Sequence, residues 1–242
     1  MSALLSVDGL SKSFGAVTVA DDTAFEIAQG DAVGILGPNG AGKTSLFNLI
    51  TGALSPDAGR ITFQGSDITT ASAAKRCKIG IARSFQVPQP FGGMTVYENA
   101  LVGAMQGAGL SGHAAKDHAL QVLTDTGLLA KANQRAGSLT LLDRKRLEMA
   151  RALSARPRLL LLDEIAGGLT EAECTDLIDT IKAVHAHGTT IIWIEHVVHA
   201  LLAVVDRLIV IDFGKKIAEG APKEIMDSAE VKEIYLGVDP DV

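Results

Sequence analysis

The chain has 242 residues, of which 47% are hydrophobic and 21% charged, and its formal net charge is -6. This is the composition of a packed globular chain rather than a disordered one. The acidic balance argues against nucleic acid as a partner, because phosphate binding rests on basic side chains. The apolar runs Leu159 to Leu162 and Ala200 to Val205 are far shorter than the roughly 20 residues of a membrane-spanning helix. The start, Met1 to Asp8, has no basic segment and an early carboxylate, so no signal peptide is expected. Cys77 and Cys174, the only cysteines, form no metal or redox motif, and buried or neutral thiols are the expected reading.

Residues 3–36 read as strands. Val17-Thr-Val19 and Phe25-Glu-Ile27 are β-prone, and Ala32-Val-Gly-Ile-Leu36 is a short apolar run leading into glycine. Lys43 to Gly52 reads as a helix with Leu46, Leu49 and Ile50 on its apolar side and glycine at its close. Arg60 to Phe63 is another expected strand. The early wealth of strands suggests an antiparallel side sheet. Residues 95–155 are mostly helical, with helices expected over 114–126 and from Arg144 to Ser154. Leu159 to Asp163 is a continuous apolar run, which suits a parallel strand covered on both faces. Glu171 to His187 is an amphipathic helix with Cys174, Leu177, Ile178, Ile181 and Val184 on one stripe. Thr189 to Ile194 and Arg207 to Ile211 are further core strands. Strands alternating with helices predict an α/β fold with right-handed crossovers.

Gly37-Pro38-Asn39-Gly40-Ala41-Gly42-Lys43-Thr44 fits G-x-x-x-x-G-K-[ST] in its required setting, after a strand and before a helix. Glycines let the backbone curl so that successive N–H groups face a phosphate. The helix start adds about half a positive charge. Lys43 is expected to reach the β- and γ-phosphates of ATP, Thr44 to ligate Mg²⁺, and Ser45 to donate near the α-phosphate. Asp163-Glu164 closes a buried strand, and sites in open α/β sheets lie at the carboxyl ends of strands. Asp163 is the candidate for the Mg²⁺ shell and Glu164, facing elsewhere, for polarising the attacking water. The histidine pairs His185/His187 and His196/His199 have no acid or cysteine ligands nearby in sequence, so no zinc site is expected.

With these motifs the chain resembles the ABC transporter ATPases, and within them the LivG-type subunits of branched-chain amino-acid importers. The resemblance runs along nearly the whole chain. Ile81-Ala-Arg-Ser-Phe-Gln86 is similar to the Q-loop, Phe91-Gly-Gly-Met-Thr-Val-Tyr-Glu-Asn99 and the tail Glu233-Ile-Tyr-Leu-Gly237 to that branch, and Ile194-Glu-His196 to the switch-histidine segment. The resemblance implies a P-loop NTPase fold: a RecA-like core sheet with an antiparallel β side sheet (residues 1–94 and 156–242) and a helical subdomain (95–155). It implies that Gln86 touches the Mg²⁺ shell, that His196 positions the γ-phosphate and water, and that Phe14 stacks on adenine. Read alone, Gln86 is an ordinary surface glutamine, His196 a core or surface histidine, and Phe14 a core aromatic. The implied partners are two membrane-spanning permease subunits, a second ABC ATPase (LivF-like, or a second copy) and, indirectly, a periplasmic solute-binding protein. The implied location is cytoplasmic, on the inner face of the membrane.

One segment departs from the resemblance. The family's Leu-Ser-Gly-Gly-Gln signature, which caps ATP on an opposing subunit, aligns with Leu139-Thr140-Leu141-Leu142-Asp143. Thr140 retains a hydroxyl for nucleotide, but both glycines are gone and Asp143 adds a negative charge near an anion. Ile165 stands where proline is usual and Thr170 where aspartate is common. The expected function is ATP hydrolysis energising amino-acid import. The alternative is a nucleotide-binding regulator, or a non-transport ABC ATPase, with weak hydrolysis.

Overall fold

The computed structural model describes residues 3–236; Gly237, the last residue of the tail motif, lies outside them. The chain divides into two compact units. One takes the chain up to Ala73 and from Ile192 onward, and the other runs from Ala74 to Ile191.

The first unit opens with β1 (Leu5–Phe14), β2 (Val17–Ile27), β3 (Ala32–Leu36), α1 (Lys43–Thr51), β4 (Ala58–Phe63) and β5 (Ser66–Asp67). Four of the strands make the expected antiparallel side sheet, in the order β2-β1-β4-β5. Leu5 stands opposite both Ile27 and Phe63, and Leu5, Val7 and Leu10 of β1 are buried. This is a sheet with one face in the core. Three shifts of register along β1, between Val7 and Leu10, between Leu10 and Lys12 and between Lys12 and Ser13, bend the strand.

The second unit holds α2 (Ala73–Lys78), β6 (Ile81–Arg83), α3 (Val96–Val102), α4 (Gly112–Asp125), α5 (Leu141–Ser154), β7 (Leu159–Asp163) and α6 (Glu171–Ala186). Its helices share a core of Val96, Ala100, Ala119, Val122, Leu123, Leu147 and Ala150. The alanines allow close helix packing. Two capping boxes start helices here: Thr95 with Glu98 at α3 and Thr170 with Glu173 at α6. Thr170, unusual for the resemblance, thus does local work at the head of α6. Asn99, fully buried, bonds the Phe91 N–H at 2.9 Å and the Phe91 carbonyl at 3.2 Å. The 91–99 motif is therefore a self-tied loop and helix start. β6 and β7 pair in parallel, Ile81 opposite Leu159 and Arg83 opposite Leu161.

The chain returns to the first unit through β8 (Thr190–Ile194), then α7 (Val198–Leu202), β9 (Arg207–Asp212), β10 (Lys215–Gly220), α8 (Pro222–Asp227) and α9 (Ala229–Leu236). Every residue of β3 is buried, and it lies parallel to β9, with Leu36 opposite Val210. β10 folds back antiparallel on β9. Among the described residues, no helix is long and apolar enough to cross a membrane.

Candidate functional site

The phosphate loop hangs between the end of β3 and the start of α1. Gly42, the residue before α1, holds φ 101, and Leu46 N–H returns to its carbonyl at 2.8 Å. A side chain there would be strained by the backbone and would stand 2.2 Å from the Val19 carbonyl oxygen. Gly37 is closed in as well, since a Cβ would meet the Ile211 carbonyl oxygen at 2.2 Å. The first turn of α1 carries no acidic residue and its start has no side-chain cap. A helix start of this kind suits an anion. Lys43 is buried, and its ammonium donates to the carbonyls of Gly37 at 2.7 Å and Pro38 at 2.9 Å. The cation is thereby folded over the loop. Asn39, Gly40 and Thr44 are exposed and Ser45 is half-buried.

The turn joining β9 to β10 braces this loop, which the residue pattern did not reveal. Gly214 N–H donates to the Ala41 carbonyl at 2.8 Å, and the Gly214 carbonyl accepts from Thr23 Oγ1 at 2.7 Å and Asp21 N–H at 2.9 Å. Asp212 and the exposed Phe213 line a hollow of ≈ 320 Å³ together with Pro38, Asn39, Gly40 and Ala41. Phe14 is not core: it is 53% exposed, with the Lys12 ammonium 5.4 Å from its ring centroid. His196, just past β8, is also exposed, and its N–H donates to the carboxylate of the buried Glu195 at 2.9 Å.

The carboxylate pair lies in the second unit. Asp163 is buried at the end of β7 and pairs with Arg83 of β6. Glu164 is half-buried, and its carboxylate accepts from the Gln86 side-chain amide. The Lys145 ammonium lies 3.4 Å from the Glu164 carbonyl. Glu164 holds φ 46, a left-handed backbone rare outside glycine, and the two carboxylates take different partners. So Gln86, expected at a metal shell, is engaged with Glu164, while its amide oxygen is the atom a cation takes. Arg83 and Lys145 were not foreseen as site residues. Residue order holds no clear signal for Arg83, because Ile81-Ala82 is too short a run to mark a strand.

The altered signature is closed on itself. Thr140 starts α5, and its hydroxyl accepts the Asp143 N–H at 3.3 Å and donates to the Asp143 carboxylate at 2.9 Å. Lys131 pairs with the same carboxylate oxygen. The charge expected to repel an anion is thus buried and paired. Leu141 stands 45% exposed beside it. Among the described residues, no three His, Cys, Asp or Glu side chains gather as a metal cage.

The model of the ABC transporter family matches residues 20–167. The chain belongs to the ABC transporter family. A second model, of the branched-chain amino acid ATP-binding cassette transporter, matches residues 215–241 of this cassette. It is similar to the high-affinity branched-chain amino acid transport ATP-binding protein LivG of Salmonella typhimurium, 35% identical over 97% of this chain and 98% of that one. It is also similar to the lipopolysaccharide export system ATP-binding protein LptB of Acidithiobacillus ferridurans, 34% identical over 98% of each. A crystal structure of an ATP-binding cassette of an ABC transporter in its ADP conformation superposes with a TM-score of 0.87 at 32% identity, covering 98% of this chain and all of the other. The cassette is accordingly an ATP-hydrolysing subunit of an ABC transporter.

Proposed function

We propose that this cassette energises an importer of amino acids, branched-chain ones first, by hydrolysing Mg-ATP. The observation that carries the ATPase half is the loop between β3 and α1, with left-handed Gly42 and the Lys43 ammonium drawn onto the Gly37 and Pro38 carbonyls. The likeness to a branched-chain amino acid transport ATP-binding protein supports that cargo. The match over residues 215–241 is what favours branched-chain amino acids.

In this reading backbone N–H groups of residues 37–42 cradle the phosphate tail, and Lys43 swings from the loop carbonyls to the β- and γ-phosphates. Phe14 offers its exposed face to adenine. Ser45 donates near the α-phosphate. Glu164 accepts a proton from the attacking water, Gln86 orients Glu164 by their mutual hydrogen bond, and His196 positions the γ-phosphate. The hydroxyl of Thr44, the carboxylate of Asp163 and the amide of Gln86 are hard oxygen ligands that suit Mg²⁺. That ion supplies neutralisation of the charge on the transferred phosphoryl group.

The cassette works beside two permease subunits, placed by them at the inner face of the membrane, with a solute-binding protein acting through the permeases. A second ATPase of different sequence is favoured over a second copy of this chain by α5, where Thr140 is engaged with Asp143. The test is phosphate release from the assembled transporter in vesicles loaded with binding protein and leucine. Glu164→Gln lowers turnover by about 10²–10⁴-fold, the usual worth of a positioned base. Turnover within twofold of the unmodified protein would remove Glu164 from its role.

A further inference from the structure

Arg83 stands in the Ile81–Gln86 segment, three residues before Gln86. Its guanidinium pairs with Asp163, and the two side chains are only 7% and 3% exposed. The parallel register sets Arg83 opposite Leu161, one strand step before Asp163 on the same face. The backbone carries the same lock: Ser84 N–H donates to the Leu161 carbonyl at 2.9 Å, and Asp163 N–H points to Ser84 Oγ at 3.4 Å. The ring of Phe85 lies 5.2 Å from the guanidinium carbon, which restrains the cation from a further side. Three residues on, Gln86 bonds Glu164. A short strand and its loop thus grip both consecutive carboxylates, one by charge and one by amide.

We propose that Arg83 is a positioning residue for the cation that accompanies the nucleotide. It takes Asp163 Oδ2 and so sets the direction in which the carboxylate meets Mg²⁺. The inference rests on the reading of Asp163 as a ligand of that ion. The physical ground is general: a carboxylate that binds a metal is itself oriented by a hydrogen-bonding partner behind it, and loss of that partner typically weakens metal binding 10- to 100-fold. Arginine suits the task because its planar fork fixes direction as well as charge, which a lysine ammonium does not.

The test is nucleotide binding by the full-length cassette, read with trinitrophenyl-ATP in EDTA and across a Mg²⁺ titration, so that catalysis is not needed. Arg83→Gln is expected to raise the Mg²⁺ midpoint about 10- to 100-fold, with affinity in EDTA unchanged within twofold. Arg83→Lys is expected to recover part of that loss. A midpoint unchanged within twofold overturns the proposal and leaves Arg83 as structural glue. A lowered midpoint also overturns it, since Arg83 would then compete with the ion. Circular dichroism monitors folding; should Arg83→Gln not fold, Arg83→Lys carries the test and must still raise the midpoint at least threefold. Asp163→Asn separates the two readings. If it binds the magnesium nucleotide like the unmodified chain, the assignment of Asp163 fails; if it loses the Mg²⁺ response while Arg83→Gln keeps it, only the role of Arg83 fails.

Discussion

Glu164 carries a strained backbone within the candidate site. A φ of 46 costs an L-residue about 1–2 kcal/mol, and such strain persists where function holds it in place. The two adjacent carboxylates have different partners, Asp163 with Arg83 and Glu164 with Gln86. Gly42 is the opposite case, a left-handed position where glycine relieves the strain. Gly42→Ala adds both a disfavoured backbone and a Cβ 2.2 Å from the Val19 oxygen. Together these are expected to lower stability by roughly 3 kcal/mol, read as a fall in the urea midpoint. An unchanged midpoint would show that the loop does not hold this shape in solution. Lys43 shows how a buried cation is held: its ammonium donates to two loop carbonyls.

At the scale of elements, helix α5 is where residue order and structure differ most in meaning. Leu141 to Asp143 reads as a damaged anion-binding start, yet the helix supplies its own anion in Asp143 and pairs it with Lys131. Further along, Glu148 is buried, and burial pushes its carboxyl above the usual 4.5, against the opposing pull of Arg151 3.0 Å away and of the Gln89 N–H. The folded chain therefore holds this proton at a pH where the unfolded chain has released it, so stability falls as pH rises through the window just above 4.5. Glu148→Gln keeps an oxygen acceptor but cannot titrate. Its melting midpoint is expected to vary less than that of the unmodified chain over this window; identical slopes would refute the assignment. The long elements were legible beforehand. The strand Leu159–Asp163 and the helix from Glu171 match the expectation closely, because their apolar spacing is a property of neighbouring residues. β6, three residues long, was not read as a strand, since so short a run carries no period of its own and is made by pairing with β7.

For the molecule as a whole, the test of the phosphate loop is linkage between binding and folding. With Mg-ATP at one hundred times its Kd, the native chain gains about 2.7 kcal/mol, seen as a raised thermal midpoint. Lys43→Ala is expected to lose most of that gain, and a midpoint indifferent to nucleotide would reject the loop as a binding site. The chain comprises two compact units, so the shift is compared as a midpoint rather than as a single two-state free energy. Residue order alone predicts the glycine loop between β3 and α1, the buried strands and the helices α3, α4 and α5, because glycine freedom, apolar spacing and helix starts act within a dozen positions. It also places Asp163 and Glu164 at a strand end. It cannot say what holds them. Arg83 reaches Asp163 across 80 positions and Gln86 reaches Glu164 across 78, and both contacts exist because two strands lie parallel in one register. Such pairing is fixed by the packing of whole faces, which no local run of residues encodes.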